Sequence, residues 1–226
     1  MSAGSTAGDR HAAHPLAAVL RQVGPSSCPG RFNFHCHTHC SDGSLAPLEL
    51  ASQALELGLH HLAVTDHHSL QAYGPIAEHF AGLADQGQAV PTFWRGVEIS
   101  CLLEGCLVHV LALGFGAAHT SLAPYLQGTA VVGPALRAEA VLDAIHAAGG
   151  LAVLAHPARY RLPFPRLIAR AAALGFDGAE AWYDYELQVR WRPTPHVCDA
   201  IATDLTARGL LLSCGTDTHG PSLRGR

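Results

Sequence analysis

The chain has 226 residues, 49% hydrophobic and 14% charged, with a formal net charge of −4. Such a chain suits one globular domain with a generous core and excludes a broad cationic surface for duplex nucleic acid. All 14 basic residues are arginine, which also removes lysine-dependent P-loop hydrolysis and Schiff-base chemistry.

Residues 1–30 are rich in Ala, Gly, Ser and Pro and are expected to be a poorly ordered leader, with a short helix near Leu16 to Gln22. No secretory apolar core precedes the domain and no apolar run is long enough to span a bilayer, so no membrane contact is expected. The seven cysteines are odd in number and lack a Cys-x-x-Cys pair. A reducing cytoplasm therefore fits better than a disulfide framework.

From residue 31 to 226 we expect one domain. "RFNFHCH" alternates with period two, placing Phe32, Phe34 and Cys36 on one face and Asn33, His35 and His37 on the other. A helix follows in "SLAPLELASQALELGLH", with Ser44 as a cap, Pro47 in the first turn and Gly58 at the end. "HLAVTDH" is a second strand, and a helix is expected from Pro75 to Ala84. "TFWRGVEIS" and "CLVHVLALGF" read as an antiparallel pair turned at Glu104-Gly105. Helices near 134–148, 166–173 and 196–208 then lead to the strands "LAVLAHP", "GAEAWYDY" and "LLLSCGTDTH". About seven strands alternating with helices imply an α/β fold closed, or nearly closed, into a barrel. A doubly wound sheet would want a glycine-rich turn after its first strand, and "THCSDGS" is not one.

Histidine is the compositional outlier, with 16 residues, and imidazole is the commonest side-chain metal ligand. His35, His37, Asp42, His67, Glu98, His109, His156, Asp217 and His219 recur at or near successive strand ends. In a βα barrel those ends share one mouth. His35 and His37, at i and i+2, can chelate one ion, Asp217-x-His219 repeats that spacing, and Glu98 can bridge two cations. Nine such donors are too many for one ion and suit two or three. Cys36 and Cys40 are softer donors in hard company and are not read as ligands.

The motifs "HCHTHCSDG", "VTDHH", "GVEIS", "VHVLALGF", "LAHPARY", "GAEAWYDY" and "GTDTHGP" resemble, in order, those of the PHP (polymerase and histidinol phosphatase) family. The resemblance runs from about residue 32 to 221. It implies a distorted seven-stranded (βα)7 TIM-like barrel with a trinuclear metal centre, and carried over position by position it gives the same nine ligands. "AHPARY" and "GAEAWYDY" resemble the branch of nucleoside 3′,5′-bisphosphate phosphatases and 5′–3′ exonucleases on short RNA, in which Arg159 is expected to clamp phosphate. His68 stands where that family usually has aspartate, and the segment between His109 and His156 is short for the branch.

The resulting expectation is hydrolysis of a small phosphomonoester, a nucleotide or nucleoside bisphosphate, by a hydroxide bridging two of two or three divalent ions (Mn, Fe or Zn). Arg159 would neutralise phosphate oxygens, and His68 and His39 are candidate proton donors to the leaving group. Glu180 is expected to support ligands rather than bind metal, and Tyr183 and Tyr185 to line the pocket or pack at the rim. The alternatives are a 5′–3′ exonuclease on short oligonucleotides and a non-catalytic metal-binding PHP module. The absence of a basic stripe weighs against longer nucleic acid. An amidohydrolase barrel of the binuclear type needs a carboxylated lysine, which this sequence cannot supply.

Overall fold

The structure, a computed structural model, describes residues 13–118, 120–188 and 190–225. Seven strands form one sheet in chain order: β1 (Phe32–Asn33), β2 (His61–Val64), β3 (Thr92–Leu103), β4 (Cys106–Leu113), β5 (Leu151–Leu154), β6 (Gly178–Trp182) and β7 (Leu211–Cys214). The pairs β1–β2, β2–β3, β5–β6 and β6–β7 are parallel. β3–β4 and β4–β5 are antiparallel, so β4 is the single reversed strand. Its hairpin with β3 turns at Glu104 and Gly105, whose φ values of 52° and 68° suit a two-residue turn.

The chain after β1 closes the ring. Phe34 N–H donates to Cys214 O at 3.0 Å, Asp217 N–H to His35 O at 2.8 Å, and His37 N–H to Thr218 O at 3.1 Å. Gly215 permits this approach, because a Cβ there would lie 2.2 Å from the His35 Cβ. The result is the seven-stranded barrel expected from the sequence. Phe32 and Phe34 join the core outside the barrel wall, while Asn33, His35 and His37 turn inward among polar partners. The two faces separate as the alternation predicts, although both are buried.

The helices are α1 (Pro15–Leu20), α2 (Pro47–Glu56), α3 (Tyr73–Asp85), α4 (Ala138–Ala147), α5 (Phe164–Leu174) and α6 (Pro195–Ala207). Each buries one apolar stripe against the barrel, for example Leu167, Ile168 and Ala171 of α5. The start of α2 differs from the expectation. Ala46, not Ser44, occupies the cap position, and the Glu49 carboxylate reaches back to accept from Ala46 N–H at 3.0 Å. The Ser44 N–H donates instead to His219 O at 2.8 Å.

The leader boundary at residue 30 is also displaced. Residues 1–12 lie outside the described residues, but Leu16, Ala17 and Leu20 of α1 are fully buried in the core. Packed structure therefore begins well before β1, because three apolar residues on one helical stripe outweigh the surrounding Ala, Gly and Ser. Between β4 and β5 the chain uses two short 3-10 turns (Thr120–Tyr125 and Gly133–Leu136) and then α4. Among the described residues no helix is long and apolar enough to cross a membrane.

Candidate metal centre

All nine residues singled out at strand ends meet at one end of the barrel. Asp42, His67, Glu98, His109, His156, Asp217 and His219 line a cavity of about 300 Å³ together with Arg159 and Tyr160. His35 and His37 are fully buried beneath them. His109 reaches this end although β4 runs backwards, because it pairs with Ser100 in the outer half of the hairpin. Tyr160 fixes it there, its hydroxyl accepting from His109 N–H at 2.8 Å.

Glu98 and Asp217 are the hubs. His35 Nε2 lies 3.0 Å from Glu98 Oε2, 3.2 Å from Asp217 Oδ1 and 3.1 Å from His37 Nε2. His37 Nε2 repeats the pattern, at 3.1 Å from Glu98 Oε2 and 3.2 Å from Asp217 Oδ1. One imidazole nitrogen carries at most one proton, so neither can satisfy all these neighbours by hydrogen bonding. Two donors each about 2.0–2.1 Å from one ion at a tetrahedral angle stand roughly 3.3 Å apart, close to the spacings seen. Glu98 Oε1 lies 2.8 Å from His109 Nδ1, yet neither buried atom has a hydrogen-bond partner: they are close without the required alignment. These five residues thus fit cations better than they fit each other.

Three groups of metal-competent donors overlap here: His35, His37, Glu98 and Asp217; His37, Asp42, His67 and His219; and His67, Glu98 and His109. His37, His67 and Glu98 each belong to two. His156 stands outside the groups, but its Nε2 is 3.3 Å from Glu98 Oε1. The carboxylate and imidazole donors suit divalent cations.

The electrostatics follow from the packing. Burial disfavours the Glu98 carboxylate, but His35, His109 and His156 overcome it and hold its pKa well below the usual range. Asp217 is held low against burial by His35 and His37. Burial lowers the His35 pKa, yet Glu180, Glu98 and Asp217 outweigh it and raise the ring well above its ordinary value. His37 rises to about 9, because Asp217 and Glu98 offset its burial. His67 goes the other way, to about 4, chiefly through desolvation.

A second layer holds the donors. Glu180 Oε2 accepts from His156 N–H at 2.8 Å and lies 2.9 Å from His35 Nδ1, which fixes that ring with Nε2 facing the centre. Glu180, within β6, therefore braces the site, the supporting role expected of it rather than that of a ligand. Asp66 was not singled out in the sequence. It accepts from Thr38 N–H and Thr38 Oγ1 at 2.6 Å and from Ser41 Oγ at 2.8 Å, tying down the turn that carries Asp42. Tyr183 is fully buried and donates to Asp217 Oδ2 at 2.6 Å, while Arg159 Nη1 reaches both, at 2.9 and 3.2 Å. Tyr183 is thus a brace for Asp217 rather than a stacking platform. His156 and Asp217 both have positive φ, 26° and 50°, a backbone cost that recurs at functional sites.

His68 departs from its expected role. It is buried and absent from the cavity lining. Its Nε2 accepts from Ser100 N–H at 3.2 Å, which leaves Nδ1 as the donor to Tyr125 O at 3.1 Å. Both ring nitrogens are committed to backbone, so His68 staples the 3-10 segment to β3 and is not placed to protonate a leaving group. His39 is exposed and absent from the cavity lining.

A family model described as the PHP domain matches residues 33–118. The 5′–3′ exoribonuclease Rnm of Escherichia coli is 25% identical to this chain, covering 84% of this chain and 85% of its own length. That alignment runs over 261 positions, so the relative carries insertions this chain lacks. The 3′,5′-nucleoside bisphosphate phosphatase of Chromobacterium violaceum is 36% identical over 95 residues, 42% of this chain and 31% of that protein. Among solved structures, a protein of Chromobacterium violaceum described as an amidohydrolase, with bound sulfate and no metal, superposes with a TM-score of 0.69 at 24% identity, covering 86% of this chain and 89% of that one. A protein of Bifidobacterium adolescentis assigned as a metal-dependent phosphoesterase superposes with a TM-score of 0.65 at 22% identity, over 88% and 90% of the two chains. At those identities the superpositions show the fold, and with the domain match over residues 33–118 and the sequence relatives they make this chain similar to PHP-domain proteins.

Proposed function

We propose that this protein is a metal-dependent phosphoesterase that hydrolyses a small phosphomonoester, a nucleotide or nucleoside bisphosphate. Its ligands to two or three divalent ions (Mn, Fe or Zn) would be His35, His37, Asp42, His67, Glu98, His109, His156, Asp217 and His219. The observation that carries this reading is the crowding of His35 Nε2 and His37 Nε2 against Glu98 and Asp217, beside the cavity lined by Arg159. Bound there, such ions supply Lewis acidity towards phosphoryl oxygens and acidify water.

The chain's own contribution is placement. Arg159 is anchored through Nη1 to Tyr183 and Asp217, and its partly exposed guanidinium, a planar fork suited to phosphate, lines the cavity. A volume near 300 Å³ is at the small end for ligand pockets. It suits a phosphoryl group and the sugar behind it, with the rest of a nucleotide outside. The curated relatives support two substrates on the same centre: the nucleoside bisphosphate, and, as the second reading, the 5′ end of a short RNA. A non-catalytic metal-binding module is disfavoured because no position of the donor set is missing.

Metal analysis combined with a substrate panel tests the proposal. The panel contains an aryl phosphate, nucleoside bisphosphates, histidinol phosphate, sugar phosphates and short RNA, each with Mn²⁺ supplied. Turnover of at least one phosphoester that is lost in His37→Ala and Asp217→Ala is expected. Metal-replete protein that hydrolyses none of them would sink the reading in favour of the module.

A further inference from the structure

Four arginines scattered between residues 137 and 170 meet on one side of the site. Arg137, Arg166 and Arg170 line a polar groove of about 830 Å³ with the hairpin tip at Glu104 and Gly105. Arg161 Nη2 donates to Gly105 O at 2.6 Å at the same tip. The groove shares no lining residue with the cavity at the metal centre but lies near it along the chain. Tyr160, which lines the cavity, is the chain neighbour of Arg161. Glu98 and the groove residue Leu102 lie four residues apart on β3, about 13 Å of strand. Leu102 also bridges to the backbone of Arg137. All these elements leave the barrel at the end that holds the centre.

The charges in the groove do not cancel. Glu104 pairs with Arg166 and Glu139 with Arg170. Both pairs are solvent-exposed, and such pairs are weak and readily exchanged for a phosphate. Among the described residues neither Arg137 nor Arg161 is paired with a carboxylate, and both are exposed. A net positive strip of planar donors in an acidic chain, starting one residue from the cavity rim, matches a ligand that carries several phosphates in a row. The cavity itself has room for a phosphoryl group and its sugar, which leaves any further phosphates outside it.

We infer that Arg137, Arg161, Arg166 and Arg170 form a second binding site, which holds the backbone phosphates of a single-stranded oligonucleotide whose terminal phosphate lies in the cavity. This rests on the phosphoesterase reading for that terminal phosphate only. An occupied groove would favour the second reading of the site, the end of a short RNA, over the mononucleotide. The contacts are to phosphate, so binding depends on length and little on sequence.

The test is fluorescence anisotropy of a labelled, hydrolysis-resistant phosphorothioate RNA of five nucleotides against the corresponding mononucleotide, on Mn²⁺-loaded protein at several salt concentrations. Aryl phosphate turnover is measured on the same preparations. Wild type is expected to bind the five-mer at least tenfold more tightly than the mononucleotide. The double variant Arg137→Ala/Arg161→Ala is expected to lose most of that margin. It should also flatten the plot of log Kd against log salt by about 1.4, at roughly 0.7 per single-strand phosphate contact. Arg166→Gln/Arg170→Gln gives an independent reading should the first variant melt early. Equal affinity for the two lengths, or variants with unchanged affinity and salt slope, would overturn the site. So would an oligoglutamate of equal charge that competes as well as RNA, which would reassign the groove to an acidic peptide. Aryl phosphate turnover without length dependence removes the groove alone, and length dependence without turnover removes the phosphoesterase reading alone.

Discussion

Tyr183 donates a 2.6 Å hydrogen bond to Asp217 Oδ2, which leaves Oδ1 as the oxygen that faces His35 and His37. A buried phenol is thereby fixing which lone pairs of a carboxylate face the centre. Partners of this kind commonly account for 10–100-fold in metal affinity. Tyr183→Phe keeps the ring packing and removes the hydroxyl that donates to Asp217 and accepts from Arg159. We expect metal affinity, read by competition with a chelator, to fall by at least about tenfold, and stability by about 1–3 kcal/mol for the lost charged hydrogen bond. Wild-type affinity in this variant would show that Asp217 is aimed without the phenol.

The raised pKa values predict the proton traffic of metal loading. In metal-free protein at pH 7.5, His37, at about 9, and His35, well above its ordinary value, both carry their protons. A ligand nitrogen must be bare, so loading at that pH releases protons from both rings, and affinity rises with pH up to about 9. The sign for stability is the reverse. A histidine with raised folded pKa stabilises fully below its unfolded value near 6.5, and that contribution disappears as pH climbs through about 9. Metal-free protein should therefore melt earlier at pH 10 than at pH 7, and metal should close the gap. Titration calorimetry in buffers of different ionisation enthalpy reads the protons directly. Heats independent of the buffer at pH 7.5 would contradict the assignment.

Two glycines separate close approach from mere presence. A Cβ at Gly215 would stand 2.2 Å from the His35 Cβ and 2.6 Å from His35 N. Backbone cannot yield that far, so Gly215→Ala should cost about 3 kcal/mol or more and drop metal content with it. Gly82, exposed on α3, has nothing within 4 Å of its would-be Cβ, so Gly82→Ala should stabilise by about 0.5–1 kcal/mol. Thermal melts of the pair check this. Equal effects would mean that strands β1 and β7 do not approach as described.

The donor set was legible because it follows the strand period and recurs at or near strand ends: His35 and His37 share a face, and His156 follows closely on β5, although Glu98 turns out to lie inside β3, which runs on to Leu103. What supports it was harder to read. Asp66 and Tyr183 look in sequence like any polar residue at a strand end. Their roles come from contacts across 28 and 34 positions, which no local pattern encodes. The same holds for the arginine groove, since Arg137 and Arg161 precede separate helices and meet only because the β3–β4 hairpin lies between them. The leader misled for the opposite reason. Its composition averages to a disordered segment, while the three residues that bury α1 are local.

His68 is the residue on which sequence and structure most differ, and its chemistry can be checked directly. With Nε2 accepting from Ser100 N–H and Nδ1 facing Tyr125 O, the ring is neutral, and its pKa is lowered chiefly by burial. A proton donor in catalysis would set the acidic or basic limb of the pH–rate profile, and a staple would not. His68→Asn, which retains donor and acceptor groups on a shorter arm, should lower the melting temperature while leaving the shape of the pH profile for kcat on an aryl phosphate unchanged. His68→Ala, which leaves Ser100 N–H and Tyr125 O without their partner, should destabilise further, by about 1–3 kcal/mol. The loss of one limb of the profile in His68→Asn, at undiminished stability, would return this residue to the chemistry.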